Sequence, residues 1–136
     1  MTKAFTYCEM GSSAAKKYKQ LLDDGLLSRS ESNLQLQLEL EIKSLLGFGR
    51  FFGSTGRIKD SCSFFDRAIQ LCQHLSSNSK ELFLFHLYEA KGLALSEALE
   101  WSSAIEDCFD LQLKIGTEEI EDDDFVADAQ YNLANA

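Results

Sequence analysis

Few residues in this chain of 136 could do chemistry, and their spacings point away from most reactions. His74 and His86 are the only two histidines, and neither has a Cys, His or carboxylate partner at metal-ligand spacing, so no zinc site is read. Cys8, Cys62, Cys72 and Cys108 form no CxxC pair and sit among apolar neighbours, where a free thiol behaves as a small hydrophobe. The stretch Gly47-Phe48-Gly49-Arg50-Phe51-Phe52-Gly53 is glycine-rich, but it lacks the spacing of a phosphate loop and no strand precedes it, so close helix packing is the reading. Glu118, Glu119, Glu121, Asp122, Asp123 and Asp124 lack the glycine and spacing of a calcium loop. They suit the positive end of a helix dipole, with docking of basic partner residues as the other reading. Carboxylates abound without a distinct acid/base couple, and no nucleophile elbow frames a serine. The chain is therefore expected to be no enzyme, with no catalytic residue, cofactor or metal. What remains is recognition chemistry. The planar fork of Arg50 suits a carboxylate, and Asn132 and Asn135, one helical turn apart, can hold successive peptide groups of a ligand backbone.

The elements that must position these residues read as helices throughout. Proline is absent, and Leu, Ala, Glu, Lys, Gln and Phe dominate. Residues 2–23 read as two short helices ended at Asp23-Asp24-Gly25, with Gly25 as a left-handed cap and Ser30 or Ser32 capping the next helix. Leu34, Leu36, Leu38, Leu40 and Ile42 alternate with Gln and Glu, a strand-like period of two. Leu, Gln and Glu favour helix, however, and no second strand-like run exists to pair with, so this is a helix running to Phe52 or Gly53. Gly53 to Gly56 is a turn, residues 57–75 its partner helix, and Ser76 to Ser79 a second turn that caps the helix after it. Residues 80–98 and 101–115 form another pair, closed by Gly116-Thr117, and Asp122–Ala136 is a last helix.

A pattern recurs across those pairs. Gly49, Phe52, Ile58, Ser61, Phe65 and Ala68 are each followed 43 residues later by Gly92, Leu95, Trp101, Ala104, Cys108 and Leu111. A fixed period of this size marks stacked hairpins that cannot bury their apolar faces alone. Gly92 to Ile115 resembles a tetratricopeptide repeat (TPR), in which a small residue on the first helix and an alanine on the second let the two pack closely. Gly92 with Ala104, and Gly49 with Ser61, fit those roles, and Leu133-Ala134-Asn135 resembles the Leu-Gly-Asn triplet of the long-helix TPR subclass of LGN/Pins-type adaptors and kinesin light chains.

The resemblance implies an all-α, right-handed helical-hairpin solenoid. Its units would be a degenerate hairpin or partial repeat at 1–33, repeats at 34–76 and 77–117, and the first helix of a further repeat at 118–136. It implies protein–protein interaction through a concave groove lined by Lys43, Leu46, Arg50, His86, Glu89, Leu93, Asp128, Tyr131, Asn132 and Asn135. Lys43 and Arg50 would meet carboxylates of a partner, the amides its backbone, and Tyr131 and the leucines its apolar side chains. A structural oligomerisation domain, or a regulatory segment of a larger enzyme or motor, are the other readings.

The charge bears on the partner. Net charge is −9, and it is uneven: residues 1–60 hold nine Lys/Arg against seven Asp/Glu, and residues 61–136 hold four against fifteen. Such a balance argues against nucleic acid, and no apolar run is long enough to span a membrane. With no signal peptide ahead of the cysteines, an intracellular, cytoplasmic protein is expected. Phe125, Val126, Ala129, Leu133 and Ala136 share one helical face, for which the sequence suggests a cover from a second copy or a longer parent chain.

Overall fold

The computed structural model describes residues 2–25, 31–120 and 122–135. Among these every regular element is helical. We number them α1 (Thr2–Asp23), α2 (Glu31–Ser54), α3 (Ile58–Cys72), α4 (Ser77–Glu97), α5 (101–120) and α6 (Asp123–Ala134). No helix among the described residues is long and apolar enough to cross a membrane. Each helix packs on its neighbour in the chain, and in addition α2 packs on α4 and α4 on α6.

The alternating leucines do form helix. Ile42 is fully buried at the centre of α2, and Leu38 and Leu45 flank it against the main core. Leu34 and Leu36, at the start of α2, remain exposed. The same core takes in Phe65, Ala68 and Cys72 from α3, Phe85 and Leu87 from α4 and Ala129 from α6. Residues 2–23 are one helix and not two. Gly11 lowers helix propensity by about 1 kcal/mol, but nothing lies where its Cβ would be, and the helix passes through it. Gly25 takes the expected left-handed conformation, at φ +74°. Ser30 lies outside the described residues, and Ser32 is already inside α2. Ser76 stands at the start of α4 without a side-chain cap. Instead the Gln35 amide of α2 pins that turn, donating from Nε2 to the His74 carbonyl (3.1 Å) and accepting at Oε1 from the Ser76 N–H (2.9 Å).

Two hairpin turns are built alike. The Arg57 N–H donates to the Phe52 carbonyl and Gly56 to Gly53, with Gly56 left-handed at φ +83°. The Glu100 N–H donates to Leu95 and Leu99 to Ser96, with Leu99 left-handed at φ +62°. Both are Schellman closures, which favour glycine at the left-handed position. Leu99 lies 43 residues after Gly56. It keeps that conformation although its Cβ then crowds the following carbonyl, a cost of roughly 1–2 kcal/mol. Its side chain is 72% exposed and contributes little packing. Leu99→Gly is therefore expected to stabilise the protein by about 1 kcal/mol, read as a rise in the urea midpoint. A lower midpoint would show that Leu99 holds contacts worth more than its strain.

α5 departs from the expected register. It is α-helical at Trp101–Ala104 and Asp110–Lys114 but π-helical at Ile105–Phe109 and Ile115–Ile120. The Asp110 N–H reaches back five residues to the Ile105 carbonyl. A π turn takes up one extra residue, and the consequence is visible in the core. A methyl group at Gly49 would come within 2.7 Å of Cδ1 of Phe65, and one at Gly92 within 2.8 Å of Cδ1 of Phe109. The counterpart of Phe65 is thus Phe109 and not Cys108, 44 residues on. Likewise Gln112, fully buried, stands where Ala68 does in the first hairpin, and Leu111 is turned out at 37% exposure. Gly116 does not close the helix. It is buried within the second π segment, where an added Cβ would lie 3.2 Å from Cε2 of Phe85.

The C-terminal apolar face is largely covered by the chain itself. Ala129 is fully buried, Phe125 meets the Phe85 ring edge-on at 4.7 Å, and Leu133 packs against the small core formed by Leu95, Ala104, Cys108 and Phe109. Ala136 lies outside the described residues. Of the acidic run, Asp122 caps α6 by accepting the Asp124 N–H at 2.9 Å, and Asp123 and Asp124 fill its first turn.

Candidate functional site

The small residues that close the hairpins also shape the surface beside α4. Ser61 of α3 donates its hydroxyl to the Gly49 carbonyl of α2 at 2.6 Å, so the expected Gly49–Ser61 contact is a hydrogen bond in a buried seam. Gly53 lies one turn further along α2, with its missing side chain facing Ser61 and Ala94 of α4. With glycines at both positions, α2 and α4 leave a cleft of about 150 Å³ lined by Arg50, Ser54, Glu89, Leu93 and Glu97, with the Phe65 ring among its walls. On the other side of α4 a cleft of about 280 Å³ opens between α4, α5 and α6. Ser96, Trp101, Tyr131, Asn132 and Asn135 line it. Leu93 and Glu97 belong to both clefts, so α4 is the ridge between them.

Six of the ten residues expected on a groove line these two clefts: Arg50, Glu89, Leu93, Tyr131, Asn132 and Asn135. The other four do not. Lys43 is exposed on α2, Leu46 packs against the core, and Asp128 is exposed on α6. His86 sets its ring edge-on to Phe85 and Phe125, at 5.7 and 5.9 Å.

The amides singled out in the sequence have partners within the chain. Asn132 Nδ2 donates to Oε2 of Glu89 (3.1 Å) and to Oε1 of Gln112 (3.2 Å). Gln112 Nε2 also donates to Oε2 of Glu89, at 2.9 Å. Glu89, Gln112 and Asn132 thus tie α4, α5 and α6 together. Asn135 turns its amide back to the Tyr131 carbonyl at 2.7 Å, closing the end of α6. These amides are held in place; what the clefts offer a ligand is mainly the apolar surface and charge beside them. Leu93 is 47% exposed, Trp101 40% and Tyr131 68%. Glu97 is exposed between them and Arg50 at one end. Lys91 points away toward α3, paired with Asp66 at 2.8 Å. Its burial alone would lower its pKa, but the hydrogen bond and charge of Asp66 leave it raised.

Sequence reasoning missed Glu97, Ser96 and Trp101 as parts of this surface, and Gln112 as the buried link behind it. Gln112 carried one usable signal: counted with one extra residue in α5, it falls on the fully buried position of Ala68.

Cys62, Cys72 and Cys108 line neither cleft. Cys72 and Cys108 are fully buried, and burial pushes their thiols up to about 11 and about 12. Cys62, half-buried, is raised as well, first by desolvation. The raised values mean that these groups hold their protons in the folded state at a pH where the unfolded chain, near the ordinary thiol value of 9.0, has lost them. Their contribution to stability is complete below about pH 9 and falls away as pH rises toward 11–12. We expect Cys72 and Cys108 to resist Ellman's reagent at about pH 8, below the ordinary thiol value, until urea unfolds the protein. Immediate reaction of both in the native state would contradict their burial.

None of the protein-family models matches the chain, and searches of curated proteins and of solved structures find no match.

Proposed function

We propose that the chain is a TPR-type helical-hairpin solenoid and that the surface on either side of α4 holds a segment of a partner protein. The solenoid reading is supported by packing that stays between neighbours in the chain and by the stacking of α2 on α4 and α4 on α6. It is also supported by the recurrence of a glycine under a buried phenylalanine ring, Gly49 under Phe65 and Gly92 under Phe109.

The observation that carries the binding reading is the pair of clefts sharing Leu93 and Glu97. A helix ridge facing water gains nothing by exposing Leu93, Trp101 and Tyr131 close together, whereas an apolar patch rimmed by charge is the usual form of a recognition surface. Its charges are complementary to a segment carrying an apolar side chain beside a basic one. Glu97 would meet the base, the leucine, tryptophan and tyrosine the apolar group, and Arg50 a carboxylate further along.

Peptide display tests this even with the partner unidentified. Peptides selected on the wild-type chain should bind Leu93→Asp and Tyr131→Asp at least roughly tenfold more weakly by calorimetry, with both variants folded by circular dichroism. Peptides that bind all three proteins equally would place the site elsewhere. Self-association in light scattering that Leu93→Asp abolishes would identify the surface as an oligomer contact instead.

A further inference from the structure

Apart from the α4 clefts, with which it shares no lining residue, a third cleft of about 320 Å³ lies among α1, α2 and α3. Its charged residues are Lys16 and Lys19 of α1, Arg67 of α3 and Glu41 of α2, with the hydroxyls of Ser12 and Ser44 on its wall. Lys16 and Lys19 are three apart, so they share one helical face. Like charges gathered in this way repel one another. In a chain of net charge −9, carboxylates are plentiful enough to pair with each of them. Yet among the described residues none of the three cations forms an ion pair: the pairs found are Arg57 with Asp60 and Lys91 with Asp66. Glu41, the single carboxylate among the described residues that line the cleft, accepts a hydrogen bond from Gln37 Nε2, and Gln37 is itself buried at 8% exposure.

We propose that this cleft is an anion site for a phosphate group. Among the described residues, three cations against one carboxylate leave the cleft lining two charges positive, which matches a phosphate monoester at neutral pH, of charge about −1.5 to −2. A carboxylate ligand would neutralise only half of that. Arg67 supplies a planar fork to the phosphate oxygens, the lysines supply point charges, and the serine hydroxyls add neutral donors. The volume exceeds that of the phosphate alone, leaving room for the group that carries it. The site is separate from the α4 clefts and stands whether or not those bind a peptide.

The overall negative charge makes the test discriminating, because the protein as a whole repels anions and any affinity must be local. Inorganic phosphate, titrated into the ¹⁵N-labelled full chain in a chloride buffer, should give saturable amide shifts around residues 12–19, 41–45 and 67–71. Acetate at equal concentration should give much smaller ones. The Lys19→Gln/Arg67→Gln variant should bind phosphate at least roughly tenfold more weakly. Both residues are exposed, so its thermal melt should match the wild type. Glu41→Gln, which keeps a side chain able to accept from Gln37, should bind phosphate several-fold more tightly. That gain is one which a purely structural role for the cleft would not produce. The tripeptide Gly-phosphoserine-Gly resolves the source. Binding at least roughly tenfold tighter than inorganic phosphate assigns the site to a phosphorylated side chain, and equal binding assigns it to the free ion. Unsaturable shifts, equal response to acetate, or unchanged affinity in both variants would overturn the proposal.

Discussion

Gly92→Val is expected to destabilise the protein by about 3 kcal/mol, and Gly49→Val by a similar amount, the upper end of the usual cost of overpacking a core. The physical reason is the same in both hairpins. A Cβ at either glycine falls against a phenylalanine ring, Phe65 or Phe109, that is itself 1% exposed and packed into the core. The clash outweighs the gain in helix propensity from removing glycine, which is at most about 1 kcal/mol. Gly11→Ala provides the control, since nothing lies within 4 Å of its Cβ and that variant should gain up to about 1 kcal/mol. The cause can be isolated with a second substitution. Phe109→Leu removes the ring edge that meets Gly92, so Gly92→Val/Phe109→Leu should be more stable than the two single losses added together, by about 1 kcal/mol or more. Strict additivity in a double-mutant cycle would mean that Gly92 is small for some reason other than Phe109. A domain with the ordinary margin of about 5–15 kcal/mol survives either single change, so the experiment can be read by urea unfolding.

That pairing also shows how far the sequence reaches. Helix content, the turn around Gly56 and the Gly49–Ser61 contact were legible, because they rest on composition, on glycine at turns and on small residues at fixed spacing. The inward face of α5 was not. A constant spacing of 43 selects Cys108 and Leu111 as core, and both are apolar, so nothing in the pattern objects. The π turn at Ile105–Phe109 moves the inward positions on by one, to Phe109 and Gln112. Cys108 and Phe109 are both buried and would pass as core in either register. Only Gln112 could have signalled the shift, and hydrophobic patterning sends a glutamine to the surface. Leu99 is hidden for a related reason, since no pattern of residue types expects a leucine where Gly56 stands in the other turn. For the candidate site, the sequence reached Arg50, Glu89, Leu93, Tyr131 and the two asparagines by their place on the first helices. It could not see that Glu89 and Asn132 bond to each other directly, nor that Gln112, displaced by the π turn, bonds to both.

Gln112 should consequently be among the most sensitive polar positions in the molecule. Its side chain is fully buried, and its amide group donates to Glu89 and accepts from Asn132. Gln112→Ala deletes both bonds and leaves a void between three helices. The Glu89 carboxylate then keeps only the amide of Asn132 in a part-buried setting, and an under-satisfied polar group of this kind costs about 1–3 kcal/mol, more where it is charged. Adding the void, a loss of about 3 kcal/mol is expected, against less than about 1 kcal/mol for a glutamine that merely points into solvent. Gln112→Leu fills the volume but not the hydrogen bonds, so it separates the two contributions. If the polar link dominates, leucine should rescue little. If packing dominates, it should rescue most of the loss. The network also makes a prediction about coupling. Asn132→Ala in the wild type removes bonds to both partners, whereas in the Gln112→Ala background only its bond to Glu89 remains to lose. The second loss should be smaller than the first by about 0.5 kcal/mol or more. The same comparison bears on recognition, because Glu89 lines the first cleft and Asn132 the second. Loosening the link between them frees α6 to shift against α4, and peptide affinity at the Leu93 ridge should fall in Gln112→Ala even though Gln112 lines neither cleft. Equal losses for Asn132→Ala in both backgrounds, with peptide affinity unchanged, would show that the three residues act independently and not as one network.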